Sequence, residues 1–145
     1  MADRNQVQVD PANLVFAKAM EVVTYIGIAV MIVFGLLYLF GFFSAFVDMK
    51  SAIAHWHLPV NKFWHEVVGI HISGYSWFLK NLTAMDCLSM LGICILALAP
   101  LAAVIAAWPK VGATHKVLVL LFLILVLEYL FAIFKPIILP GLGGE

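Results

Sequence analysis

The chain has 145 residues, of which 65% are hydrophobic and only 11% are charged, and its mean hydropathy is +1.09. This composition is far too apolar for a soluble domain of that length, and it predicts an all-α integral membrane protein with room for three or four spans. Eight basic and eight acidic residues give zero net charge, so no basic patch indicates binding to nucleic acid. The expected partners are the lipid bilayer, other membrane subunits, or a second copy of the chain.

The first predicted helix begins at Asp10-Pro11 and forms a span over about residues 14–47. Asp10 suits the N-cap, and Pro11 sits at the first helical position, where its missing N–H does no harm. Small residues along this span allow another helix to approach closely: Gly27, Gly35, Gly41 and Ala45. We favour packing within the chain over a dimer face as their role.

Residues 48–82 form a less apolar connecting segment that carries four of the five histidines and three of the four tryptophans. Tryptophan prefers the headgroup region, so the segment predicts an interfacial, amphipathic helix lying along the membrane surface. The pair Pro59 and Asn61 indicates a helix start, and the break at Ser73-Gly74 indicates its end near Ile72.

The histidines of this segment have three readings. Neutral imidazole binds haem iron and metals, so a site for haem b or a quinone is one reading, and a partner-protein contact is another. No pair has the i, i+4 spacing of a zinc-binding helix, so we favour ordinary interfacial histidines with no bound cofactor or metal. The candidate residues are His55, His57, His65 and His71.

The second and third spans are predicted over about 86–108 and 116–135. The short turn between them predicts an antiparallel hairpin. Asp86 stands near the membrane boundary, where it suits a helix cap or an interface anchor. Pro136 and Pro140 indicate the end of the third span.

Glu128 is the only charged residue between Val117 and Phe134. A carboxylate in hydrocarbon is costly, so this side chain is expected to be protonated and hydrogen-bonded. Counting about 1.5 Å per residue from the turn puts Glu128 and Leu96 level, each about 18 Å deep. Because Pro100 lacks the N–H that would bond the Leu96 carbonyl, we expect Glu128 to donate to that carbonyl as a clamp. A proton- or ion-handling site is the alternative.

One stretch combines Leu91-Gly92-Ile93, then Leu96, Leu98, Pro100 and Val104, with the apolar span Val117 to Phe134 that follows. This stretch resembles an uncharacterised family of small bacterial multi-span membrane proteins. The resemblance covers about the last 50 residues. It implies a helix pair in a membrane and brings no function with it.

The sequence therefore predicts one membrane domain over 1–145, with three spans and one interfacial helix. No phosphate-binding loop, nucleophile elbow or paired carboxylates indicate an enzyme. The favoured function is a non-catalytic accessory or anchor subunit of a larger membrane complex, with a respiratory complex as one candidate. The alternatives are a proton or cation transport element using Glu128, and a haem- or quinone-binding subunit. The expected location is the bacterial inner membrane, multi-pass, with a cytoplasmic N-terminus.

Three spans fix a testable topology. The N-terminus and the turn after the second span should share one side of the membrane, and the connecting segment and the C-terminus should share the other. Single cysteines at positions 5, 61, 112 and 143 of a cysteine-free variant, labelled with a membrane-impermeant reagent, check this. Labelling that pairs position 112 with position 61 contradicts three spans.

Overall fold

The computed structural model describes residues 9–72, 74–111 and 116–139, and these residues form helices and connections without a strand. The helices in chain order are α1 (Pro11–Leu39), α2 (Met49–His55), α3 (Val60–Phe63), a π-helical turn (Trp64–Val68), α4 (Ser76–Lys80), α5 (Met85–Ala107), a 3₁₀ turn (Trp108–Lys110) and α6 (Lys116–Ile138). Among the described residues, three stretches are long and apolar enough to cross a membrane: Pro11–Phe40, Met85–Lys110 and Lys116–Ile138. The predicted all-α membrane architecture with three spans is confirmed.

Helix α1 begins as the sequence predicts and ends earlier. The Asp10 carboxylate accepts a hydrogen bond from the Ala12 amide at 2.8 Å, with Pro11 in the first turn. The helix stops at Leu39, before the predicted limit of 47, because Gly41 takes the left-handed conformation at φ +66°. This glycine, interpreted from sequence as a packing residue, instead turns the chain out of the helix.

Two hydrogen bonds complete this helix end. The Gly41 amide donates to the Tyr38 carbonyl at 3.1 Å, and the Phe42 amide donates to the Leu37 carbonyl at 3.3 Å. This pair of bonds is the Schellman motif, which satisfies carbonyls that a helix end would otherwise leave unpaired. The carbonyls of Leu37 and Tyr38 therefore have hydrogen-bond partners at the end of α1.

Helices α1 and α5 pack against each other as an antiparallel pair. Near one end, Val15 and Phe16 of α1 pack on a cluster that includes Val104. Further along the pair, Gly27 faces Gly92. As the residue numbers increase along α1, the residues that it contacts in α5 have decreasing numbers, so the two helices are antiparallel.

The two backbones nearly touch at the glycines. A Cβ atom placed on Gly92 would lie 2.6 Å from the Met31 amide nitrogen and 2.7 Å from the Gly27 carbonyl oxygen. Beside this point the Ser89 hydroxyl donates to the Met31 carbonyl at 3.1 Å. Small residues that admit a close backbone approach are the usual means of helix association in lipid. For Gly27, the predicted role in packing within the chain is confirmed.

Helix α6 joins the pair at the end where α1 begins and α5 finishes. Phe122 is only 8% exposed and packs with Val104 and Ala107. Its ring stacks on Phe16 with centroids 5.9 Å apart. Beyond this contact α6 has little cover from the described chain, since it contains no other buried residue. The third span is thus attached mainly through its first half.

The end of α6 differs from the sequence prediction. Pro136 was expected to end the span, but the helix continues to Ile138, and the Leu139 amide still donates to the Lys135 carbonyl at 2.8 Å. A proline in the last turn removes one backbone bond and does not prevent the next residues from staying helical. Pro140 lies outside the described residues.

The glycine contact yields a stability prediction. Gly92→Ala adds a methyl group where backbone atoms of α1 leave no space, so it should lower the free energy of unfolding by about 1–3 kcal/mol. Gly35→Ala is the matched control, because its new Cβ would meet only the Ser89 hydroxyl, at 3.2 Å. Thermal unfolding in detergent, followed by circular dichroism, compares the two. An equal loss of stability in Gly92→Ala and Gly35→Ala would show that the close backbone contact does not make Gly92 more sensitive to substitution.

Candidate functional site

The segment between α1 and α5 is built from short helices rather than one long one. Asp48 caps α2, accepting from the amides of Lys50 at 3.1 Å and Ser51 at 3.2 Å. Pro59 precedes α3, as the sequence predicts. Helical structure then stops at Val68 instead of near Ile72.

Gly69 causes the early end of helical structure in this segment. Gly69 adopts φ +72°, and its amide closes the π-helical turn on the Trp64 carbonyl, to which the Ile70 amide also donates at 3.4 Å. Because a left-handed residue reverses the helical path, the chain leaves the helix here. The expected break at Ser73-Gly74 is a second one, with Gly74 at φ +64°; Ser73 lies outside the described residues.

Asp86 in the first turn of α5 fixes this segment to the spans. Its two carboxylate oxygens accept one hydrogen bond each, from the amides of Phe46 and Val47, both at 2.9 Å. The Met85 amide donates to the Ser44 carbonyl at 3.2 Å. A carboxylate that accepts from two backbone amides makes charge-assisted bonds, which are stronger than neutral ones. The predicted helix-cap or anchor role of Asp86 thus takes the form of a clamp on a distant loop.

Tyr38 closes the same loop from the other span. Its hydroxyl donates to the Val47 carbonyl at 3.0 Å. Val47 is buried, and both its amide and its carbonyl are bonded, to α5 and α1 respectively. The loop after α1 therefore bridges the ends of the two packed spans.

An aromatic cluster holds three parts of the segment together. Trp77 of α4 contacts both Phe46 of the loop, at 5.7 Å between centroids, and Trp64 of the π-helical turn, at 5.1 Å. Phe63 meets Trp64 edge to face at 5.5 Å, and Phe78 meets Trp77 at 5.9 Å. Aromatic pairs at such distances stabilise beyond their buried area. The cluster and Asp86 together make the segment a fixed platform on the spans.

The structure does not gather the four candidate histidines. His55 has its Nδ1 at 2.9 Å from the Ser51 carbonyl oxygen, a distance that suits donation by Nδ1–H. His57, His65 and His71 are exposed. Within 9–72, 74–111 and 116–139, no group of three or more histidine, cysteine or acidic side chains is placed to hold a metal ion. Binding of haem or a quinone stays a prediction.

The platform carries several large uncovered side chains, and we call the exposed surface that they form the outer face. Trp56 is 80% exposed and Val60 is 72% exposed. Other members are exposed as well: Ile53, His57 and Leu79. Exposed aromatic and aliphatic groups on a fixed backbone are typical of surfaces that contact lipid or protein.

Glu128 does not form the contact expected from the sequence. Within the described residues no hydrogen bond links it to the Leu96 carbonyl, and its side chain is exposed on α6. Leu96 instead packs at the Gly27 contact, where its Cγ would lie 2.8 Å from a Cβ on that glycine. The carbonyl expected to pair with Glu128 belongs to a residue that packs against α1. Counting residues from the turn placed Glu128 and Leu96 at the same depth, but the two residues lie on helix faces that do not meet.

Comparison with known protein families identifies a membrane family, and two relatives are found. A family model described as AF1633-like membrane protein matches residues 2–141. A protein of Archaeoglobus fulgidus described as uncharacterized is 32% identical over 140 residues, covering 97% of this chain and 60% of that protein. A second one from the same organism, with the same description, is 31% identical over 137 residues, covering 94% of this chain and 98% of that protein. The chain thus spans less than two thirds of the first relative's length.

No solved structure matches the chain. The family match covers residues 2–141, so it gives no support to a resemblance limited to about the last 50 residues. The two relatives are archaeal, so they give no support to the bacterial origin that the resemblance implied. What is confirmed is a membrane protein family.

The hydrogen bonds between Asp86 and the loop amides give a testable prediction. Asp86→Asn keeps one acceptor oxygen but turns an NH₂ group toward one of the two loop amides, leaving a donor unpaired, which should cost about 1–3 kcal/mol. Peptides covering 41–48 should then exchange amide hydrogens faster. Asp48→Asn is the control, because asparagine caps a helix about as well as aspartate. Unchanged exchange in Asp86→Asn would show that the loop is held by other contacts.

Proposed function

For this chain, which belongs to the AF1633-like membrane protein family, we propose a function as a non-catalytic accessory or anchor subunit of a larger membrane complex. In this proposal the spans hold the protein in the inner membrane with the N-terminus in the cytoplasm, and the platform docks the partner. A respiratory complex is one candidate.

The observation that carries the proposal is the combination of a fixed backbone and an uncovered surface in the platform. Asp86 bonds two loop amides at 2.9 Å, and the aromatic cluster joins the loop to the π-helical turn and to α4. A fixed surface loses little conformational entropy when a partner binds, so more of the contact energy appears as affinity. A platform built to stay in one shape suits docking.

The residue types on the outer face support the same function. Trp56 projects from the end of α2 with most of its surface uncovered, and Val60 lies one helix further on. Tryptophan is among the residues that most often dominate binding energy at protein interfaces. Its ring also suits the headgroup boundary, so a partner that docks here would itself be a membrane subunit.

Affinity purification from native membranes tests this proposal. Wild-type protein in mild detergent should recover stoichiometric partner subunits, and Trp56→Ala should lose them without a change in thermal unfolding, because Trp56 is 80% exposed and makes no ring contact within the described chain. Ile105→Ala is the control, since Ile105 is 66% exposed on α5, away from the platform. Equal partner recovery in all three proteins, or none from wild type, would reject the docking surface.

A further inference from the structure

Helix α6 has two faces with different surroundings. One face packs on the other spans through Leu118, Phe122 and Leu125. A second row, which we call the outer seam, repeats at alternating steps of four and three residues, and every member is exposed: Val117, Leu121, Ile124, Glu128, Phe131, Lys135 and Ile138. That spacing keeps one row of side chains on a single face along a whole helix and is the pattern by which helices pack in parallel pairs.

Glu128 sits at the middle of the outer seam. It follows Lys116 by twelve residues (128 − 116), or about 18 Å along the axis, which is near the centre of a hydrocarbon core of about 30 Å. Across 9–72, 74–111 and 116–139 it makes no hydrogen bond or ion pair. Hydrocarbon offers no partner to a carboxyl group, so a hydrogen-bond partner supplied by another chain would stabilise it.

A second copy of this chain has the matching group at the matching depth. Two copies inserted with the same topology carry parallel α6 helices, and a twofold axis along the membrane normal brings the two Glu128 side chains level. A protonated carboxyl both donates and accepts, so two of them form a reciprocal pair of hydrogen bonds. Polar side chains that bond across helices stabilise association in lipid.

We propose that α6 is a self-association interface, in which the outer seams of two copies pack and their Glu128 carboxyl groups bond to each other. Leu121, Ile124 and Phe131 surround this pair with apolar contacts, which removes it from lipid on both sides. Lys135 lies two turns further on, near the helix end, where its long side chain reaches the headgroups and keeps its charge outside the apolar contact. The interface is separate from the platform, so it leaves the outer face free for other subunits.

Disulfide cross-linking in lipid vesicles locates the interface. In a background with Cys87→Ala and Cys94→Ala, Phe131→Cys should give a disulfide-linked dimer on oxidation. Leu130→Cys is the matched control, since it is adjacent in sequence and 43% exposed but lies roughly 100° further around the helix. A disulfide-linked dimer from Phe131→Cys but not from Leu130→Cys supports the outer seam as the interface. Equal dimer from both variants, or none from either, overturns it.

Dimerisation measured by energy transfer between labelled copies, over a range of protein-to-lipid ratios, tests the role of Glu128. Glu128→Gln keeps a donor and an acceptor and should preserve the dimer, whereas Glu128→Leu should raise the dissociation constant by roughly three- to tenfold. Thermal unfolding should stay unchanged, since Glu128 bonds to nothing else in the described chain. A wild type that stays monomeric at every ratio, or a Glu128→Leu variant that dimerises as well as wild type, overturns the proposal. Purified chain alone suffices, so the result is independent of partner docking at the platform.

Discussion

The close contact between the backbones of Gly27 and Gly92 determines how the rest of the protein is arranged. Inside a bilayer, lipid covers apolar side chains as well as protein does, so burial alone does not hold helices together. Close approach and a few polar bonds must do so instead. The glycines permit that approach, and the bond from the Ser89 hydroxyl to the Met31 carbonyl lies within one helical turn of it. Helix α6 then adds to an existing pair through Phe122.

The same pairing places the polar parts of the platform. Because α1 and α5 run antiparallel, the end of α1 lies beside the beginning of α5, and Asp86 comes within reach of the loop at Phe46 and Val47. The loop amides and the acid satisfy one another, at a boundary where each would otherwise depend on water. The packing of α1 on α5 within lipid therefore also orders a surface outside the lipid. The aromatic cluster extends that order to α4.

Sequence reasoning succeeded where the signal was local. Asp10-Pro11 predicted the start of α1, and apolar runs predicted three spans, because caps and hydropathy act through neighbouring residues. It failed at Gly41, because a glycine in an apolar run looks the same whether it serves packing or a left-handed turn. The partners of Asp86 lie 39 and 40 residues away in sequence, and no local pattern identifies them. Glu128 was singled out correctly as unusual, but its depth alone did not say which way the side chain faces.

The distance in sequence between the two glycines also sets an order of events during synthesis. Gly92 follows Gly27 by 65 residues (92 − 27), which a ribosome adds in about 3–13 s at ordinary rates. Because of this lag α1 reaches the membrane before α5, and until α5 arrives the Phe46 and Val47 amides have no carboxylate to meet. Helix α1 must therefore insert on its own hydropathy, and the platform takes shape only when the first turn of α5 has emerged. The platform is therefore a surface that forms late, after the first two spans are paired.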